Sequence, residues 1–175
     1  MTGVTASAGA SLAASVSPLG AMRQLPLTLG GDTPQRFDNF LPGENAQWPV
    51  VCGALSDPQP GVPVYLWGLP GCGKTHLLHA AAGAARERGG RVADANTRVP
   101  WTLGDTDRLI VLDDCDRYDA LQQHAAFALF VEAASAAVPV LAAGRLPPTD
   151  LALRDDLRSR LGWGLVFQLV APTDT

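Results

Sequence analysis

Short apolar runs alternate along this chain with longer stretches whose apolar positions recur every three or four residues, and the two periods predict strands and helices in turn. VYLWG reads as a buried strand ending at Gly68, RVADA as a second, RLIVLDD (108–114) as a third, VPVLAAG (138–144) as a fourth and LVFQLV (165–170) as a fifth. Between them, Lys74 to Arg88 reads as a helix with Leu77, Leu78, Ala81 and Ala85 on its inner face, closed by Gly89 and Gly90 as left-handed caps. Ala120 to Ala137 forms a second, Ala-rich helix, and PPTDLALRDDLRSRL a third with Thr149 or Asp150 as its N-cap. Ahead of these, Glu44 opens a short helix running towards Leu55, and SDPQPGVP (56–63) is loop by its Pro and Gly content. Strands alternating with helices imply an α/β fold with one parallel sheet covered on both faces.

At 175 residues the chain is one ordinary domain with room for a sizeable core. A net charge of −4, with 13 Lys and Arg, leaves no basic footprint for the DNA backbone. Cys52, Cys72 and Cys115 lack metal-ligand spacing and leave an odd thiol, which suits a reducing, cytoplasmic interior. Charged and polar residues interrupt every apolar stretch before membrane-spanning length, so no membrane partner is expected. Residues 1–22 read as a disordered extension: residues 1–21 carry no charge, hence no secretory signal, and Met22 is a candidate alternative start. The following linker, 23–35, holds QLPLTL (24–29), whose alternate leucines share one face of an extended strand with no apolar run nearby to pair as a hairpin.

The chemistry concentrates in GLPGCGKT (68–75), which matches G-x-x-x-x-G-K-[ST] between a predicted strand and a predicted helix. Gly68, Gly71 and Gly73 let the backbone turn so that the N–H groups of the loop, Gly68, Leu69, Pro70, Gly71, Cys72, Gly73 and on to His76, can surround phosphate oxygens beside a helix N-terminus. Lys74 neutralises β/γ-phosphate charge and Thr75 offers a hydroxyl to Mg²⁺. A plain glycine-rich turn would not require the Lys-Thr pair. In LIVLDDCD a buried strand delivers Asp113 as a carboxylate that can hold Mg²⁺ through water, and Asp114 stands where a general base or water-positioning group would. Alternatively, Asp114 and Asp116 only cap the next turn or helix. His76, His79 and His124 read as packing or surface residues, since a metal site would need more converging ligands. Trp48, Trp67, Trp101 and Trp163, with Tyr118 and Phe167, read as core or near-core aromatics.

RFDNFLPGEN, GKTHLLHA, VLDD, GRLPPTDL and LRSRLGWGLVFQL together make residues 24–172 resemble the DnaA/Hda-type AAA+ ATPases. The resemblance implies a three-layer P-loop NTPase core over 36–175, with a five-stranded parallel sheet in the order 5-1-4-3-2, and ATP or ADP with Mg²⁺ as ligands. It also implies a partner. Within that family the Hda-like members regulate replication initiation negatively, stimulating hydrolysis of DnaA-bound ATP while docked on the sliding clamp, the β subunit of DNA polymerase III. On that reading Gln24, Leu25, Leu27 and Leu29 dock in the clamp, and DNA is met only through it; a short edge strand or core staple is the alternative. SRLGWG maps an arginine finger onto Arg160, reaching a neighbour's nucleotide, with an i,i+4 ion pair to Asp156 as the alternative.

Departures from the family pattern accompany the likeness. At the end of the fourth strand, where such ATPases place a small polar sensor of the terminal phosphate, this chain reads Ala142, Ala143, Gly144 and Arg145, so no water-orienting group is expected there. The stretch from Thr97 to Asp107 is too short for the helix relatives carry, and the helical lid domain of relatives is expected to be missing, the chain being either a fragment or truncated product or a protein that binds nucleotide with an open site. These losses imply weak intrinsic turnover. Two rivals remain: a self-sufficient ATPase acting as helicase loader or transposition helper, and an inactive clamp-bound adaptor. A homo-oligomer is compatible with each.

Overall fold

The computed structural model describes residues 35–94 and 98–172, all within the compact unit Asp32–Thr175; Gln24, Leu25, Leu27 and Leu29 lie outside the described residues. Helix α1 spans Trp48–Ser56 with a proline in its first turn, and so begins at Trp48 rather than at Glu44. Pro49 explains the difference, because a residue without an N–H and with a fixed φ is accommodated only where no intrahelical donor is needed. Asn45 serves another purpose: its amide nitrogen donates to the Val170 carbonyl (3.0 Å) and its amide oxygen accepts from the Val170 N–H (2.8 Å).

Strand β1 (Val64–Trp67) leads through the glycine-rich loop into α2 (Lys74–Glu87), whose Leu77, Leu78, Ala81 and Ala85 are buried as their spacing predicts. The helix ends in a Schellman arrangement, with the Gly90 N–H on Ala85 O (2.9 Å) and the Gly89 N–H on Arg86 O (2.9 Å). Gly89 alone of the two takes the left-handed conformation (φ 80°), so Gly90 is not the second left-handed cap its composition suggested. Strands β2 (Arg91–Asp94) and β3 (Asp107–Leu112) follow, then α3 (Ala120–Ala136), opened by a reciprocal capping box between Asp119 and Gln122.

After β4 (Val140–Gly144) the chain departs from expectation again. Pro148–Asp150 form a single 3-10 turn, Leu151 leaves it extended (φ −71°, ψ 132°), and α4 covers only Asp155–Leu161, with Arg154 at its N-cap instead of Thr149 or Asp150. Leu151 and Leu153 enter the core at a two-residue spacing that an extended segment satisfies and a helix does not. The acidic pair Asp155 and Asp156 then occupies the first turn of α4, where carboxylates suit the helix dipole. Strand β5 (Leu165–Gln168) completes the sheet.

The strands lie in the order β2-β3-β4-β1-β5, every neighbouring pair parallel. Alternate residues supply two cores. Val64, Leu66, Leu109, Val111 and Leu141 meet α1 and α2 on one face, while Tyr65, Ile110, Leu112 and Ala142 meet α3 and α4 on the other. Burial on both sides accounts for the almost unbroken apolar runs of β1, β3 and β4. Two consequences position the site: β4 lies between β1 and β3, and the carboxyl ends of these three strands open on the same edge. Among the described residues no helix is long and apolar enough to cross a membrane.

Candidate functional site

The phosphate loop leaves β1 at Gly68, where φ is 152° and a Cβ would stand 2.3 Å from the Leu169 carbonyl oxygen. The loop is thus pressed against the chain that leaves β5. Lys74, the first residue of α2, is buried, and its ammonium donates to the carbonyls of Gly68 (2.8 Å) and Leu69 (3.0 Å). That arrangement satisfies a buried cation with local backbone acceptors while keeping it inside the loop. Beside it, the ring of Phe40 stacks on Trp48 (centroids 4.6 Å apart) and tilts against His76, whose Nε2 lies 3.0 Å from the Arg36 carbonyl.

From β3 the chain delivers Asp113, 4% exposed, to the same edge. Its Oδ2 accepts from the Thr75 hydroxyl at 2.6 Å and its Oδ1 from the Asp114 N–H at 2.8 Å. Two motifs separated by nearly forty residues of sequence therefore meet through one short, charge-assisted hydrogen bond. A hydroxyl and a carboxylate oxygen are hard donors of the kind Mg²⁺ takes, and Mg²⁺ characteristically uses one or two protein oxygens with phosphates and water completing its shell. Thr75 and Asp113 fit that pattern. Among the described residues no group of three or more His, Cys, Asp or Glu side chains converges as a metal cluster, so His76, His79 and His124 form none.

A cleft of about 350 Å³ opens here, lined by Pro70, Gly71, Gly73, Lys74, Thr75, His76, Asp114 and Arg145. Six of the nine expected loop positions face it. Of the rest, Gly68 and Leu69 give their carbonyls to Lys74, and Cys72 is buried in the α2-side core. Asp114 sits on the cleft wall in a left-handed conformation (φ 49°) and precedes the 3-10 turn Cys115–Arg117 without capping it through its side chain. A strained non-glycine residue beside a cleft is a recurrent mark of a functional position. Burial pushes the Cys115 thiol up to about 12 and also raises the Tyr65 hydroxyl above its ordinary value, so both stay protonated at neutral pH and neither supplies a base or nucleophile. Arg145, first residue beyond β4, stands at the stretch where the sequence offers no small polar sensor, and its side chain lines the cleft.

Arg160 lies elsewhere. It lines a small hollow of about 50 Å³ with Gly61, Pro63, Phe130, Val138 and Trp163, at the amino ends of β1 and β4. Its guanidinium carbon stands 6.0 Å from the centre of the Phe127 ring. Asp156 is engaged by Arg154 (2.7 Å) and accepts from the Leu157 N–H, so no Asp156–Arg160 pair occupies the finger candidate. Trp163 is 73% exposed, contrary to its reading as a core aromatic, because it sits in the bend that links α4 to β5; Trp101, Tyr118 and Phe167 are buried as expected.

No protein-family model matches the chain. Among solved structures, AMPPCP-bound DnaA from Aquifex aeolicus is similar over 79% of this chain and 50% of that one, at 24% identity and a TM-score of 0.62. Domain III of the Thermotoga maritima replication initiation protein DnaA is similar over 81% of this chain and 69% of its own length, at 21% identity and a TM-score of 0.65. DnaI is similar over 70% and 79%, at 16% identity and a TM-score of 0.52. The chain spans about half the length of the Aquifex DnaA. At these identities the likeness establishes the fold: a parallel-sheet α/β core resembling that of AAA+ P-loop NTPases.

Proposed function

We propose that this chain is an Hda-like regulator of DNA replication initiation, which binds ATP or ADP with Mg²⁺ in its own cleft and lends Arg160 to the nucleotide of a DnaA partner. The observation that carries this reading is the separation of those two parts. The phosphate loop and Asp113 stand beyond the carboxyl ends of β1 and β3, whereas Arg160 precedes β5, whose first residue pairs with the first residue of β1. The length of a four-residue strand, about 10 Å, lies between the two ends before the loops are added. An arginine so placed does not reach the cleft of its own chain and is free to serve another.

Each cleft residue then has a role set by its chemistry. Lys74 would exchange loop carbonyls for β/γ-phosphate oxygens, and Thr75 with Asp113 would hold Mg²⁺, which offsets charge between those oxygens when bound. Asp114 would orient water. The likeness to an AMPPCP-bound DnaA supports the nucleotide, and the likeness to DnaA and DnaI supports the replication setting. Gln24, Leu25, Leu27 and Leu29 would dock on the sliding clamp, with Pro26 among them lowering the entropy cost of docking.

The test is hydrolysis of DnaA-bound ATP with and without this protein and DNA-loaded clamp. The wild type should stimulate it; Arg160→Ala should bind nucleotide as before yet lose the stimulation, an effect of ~10³ or more where an arginine finger acts in trans. Stimulation retained by Arg160→Ala would overturn the role of that residue. A second reading, a self-sufficient ATPase, is favoured by the place of Asp114 on the cleft wall. It predicts turnover by the purified protein alone that Asp114→Asn removes.

A further inference from the structure

We propose that the outer edge of β5 is an interface at which two copies of this chain pair antiparallel and join their sheets into one. This contact is independent of the nucleotide reading. Strand β5 is the last on its side of the sheet, and among the described residues no strand lies beyond it. Its alternation tells which backbone groups face outward. The N–H groups of Leu165 and Leu169 donate to the Pro63 and Trp67 carbonyls on the β1 side, so those of Val166, Gln168 and Val170 turn away from β1. Val170 bears this out: its N–H and its carbonyl are both taken by the Asn45 side-chain amide, which stands where a neighbouring strand would. Val166 and Gln168 are left as open edge, both of them exposed.

What suits that edge is the same edge of a second copy. Between Arg160 and Asp174 the chain carries no charge, so setting the strand against itself brings no like charges together, and neither lysine nor proline guards β5. The two ends of the strand also complement each other. Before it stand Trp163, 73% exposed, and Gly164; after it come the exposed Val170 and the Asn45 side chain on its backbone. A two-fold axis at Phe167 places Val166 opposite Gln168 of the other copy, as a pair that exchanges both N–H···O bonds, and Gly164 opposite Val170. Glycine at that point leaves room for Asn45, which a side chain would contest. Trp163 then falls beside Val170 and Ala171 of the other copy, and Leu165 and Val166, 41% and 38% exposed, lose water along the seam. The same arrangement sets the carboxyl ends of one sheet beside the amino ends of the other.

The experiment is sedimentation velocity of the full chain over about 1 to 100 μM, with amide hydrogen exchange read at both ends of that range. The mass should rise towards that of a dimer, and the Val166 and Gln168 amides should gain protection as it does, while the Leu169 amide, already bonded to Trp67, should change less. Gln168→Pro removes an N–H that the fold of one chain does not use, at an edge position where proline is tolerated. Each bond is lost once per copy, so the dimer should weaken about tenfold or more. Val166→Lys leaves the backbone unchanged and sets two ammonium groups diagonally across the seam, which should weaken it as well. Circular dichroism confirms that both variants are folded. A monomer throughout the range, or a dimer that both variants leave intact, would overturn the proposal. Equal protection of Val166 and Gln168 in a monomer at both concentrations would mean that another segment of the same chain covers the edge, and would overturn it too.

Discussion

Replacing Gly68 and Gly71 separately by alanine tests whether this phosphate loop is shaped by its ligand or by its own fold. The two glycines read alike in sequence, yet their surroundings differ. At Gly71 (φ 83°) a Cβ would meet nothing within 4 Å, so Gly71→Ala carries only the left-handed backbone cost of about 1–2 kcal/mol. At Gly68 the added carbon would stand 2.3 Å from the Leu169 carbonyl and 3.0 Å from the Cys72 sulfur. Relief requires Leu169 to move by about 1 Å to reach ordinary van der Waals distance. That movement loosens the Leu169 N–H bond to Trp67 O (2.7 Å), which continues the β1–β5 ladder. Adding a lost buried backbone bond to the conformational strain gives about 3–4 kcal/mol for Gly68→Ala. A domain of this size loses roughly 2–4 °C of Tm per kcal/mol, so the midpoints should fall by about 10 °C for Gly68→Ala and about 4 °C for Gly71→Ala. Circular dichroism melts without nucleotide provide the readout, and calorimetry with ADP should show Gly71→Ala folded but weakened in binding. Equal losses of Tm in the two variants would refute the claim that Gly68 is required by the close approach of Leu169.

Stability should also decline at alkaline pH. Cys115 in the folded chain holds its proton up to about 12 against an ordinary 9.0, and burial raises Tyr65 as well, so the unfolded chain releases these protons first. Their contribution is complete below pH 9 and falls between pH 9 and 12 by about 1 kcal/mol per pH unit for each group that has ionised only in the unfolded state. Urea melts across that range should show the slope, and Cys115→Ala should flatten it; a slope unchanged by that substitution would count against Cys115 as its source. Asn45→Ala removes both side-chain bonds to the Val170 backbone and should cost about 1–2 kcal/mol, with faster exchange of the Val170 amide by hydrogen-exchange NMR. Unchanged exchange would mean that the segment after β5 is held by other contacts.

Much of the architecture was legible in the chain because its signals were local. The run VYLWG, the glycine loop and the spacing of Leu77, Leu78, Ala81 and Ala85 each specify an element without reference to the rest. Errors arose where tertiary demands overrode local preference. Thr149 and Asp150 are good N-caps, but Leu151 and Leu153 had to reach the core at a two-residue spacing, which delayed α4 to Asp155. Glu44 suits a helix start, but Pro49 set it later and Asn45 was drawn to Val170. Trp163 had the composition of a core residue and the position of a surface bend. Arg145 was legible as the residue beyond the fourth strand, but that it lines the cleft depends on the lateral order of strands, which is not written in the residues around it.

The placement of the cleft and of Arg160 at opposite ends of one sheet carries a directional consequence. A two-fold axis matches residue i with j and j with i, so a symmetric pair could complete both contacts only by lying side by side and antiparallel, each Arg160 at the other's cleft. Stacked end to end instead, with an acceptor at one pole and a donor at the other, the same contact repeats at each step. Such an end-to-end assembly has polarity, and a pair built that way leaves one donor and one acceptor to spare, where the antiparallel pair leaves none.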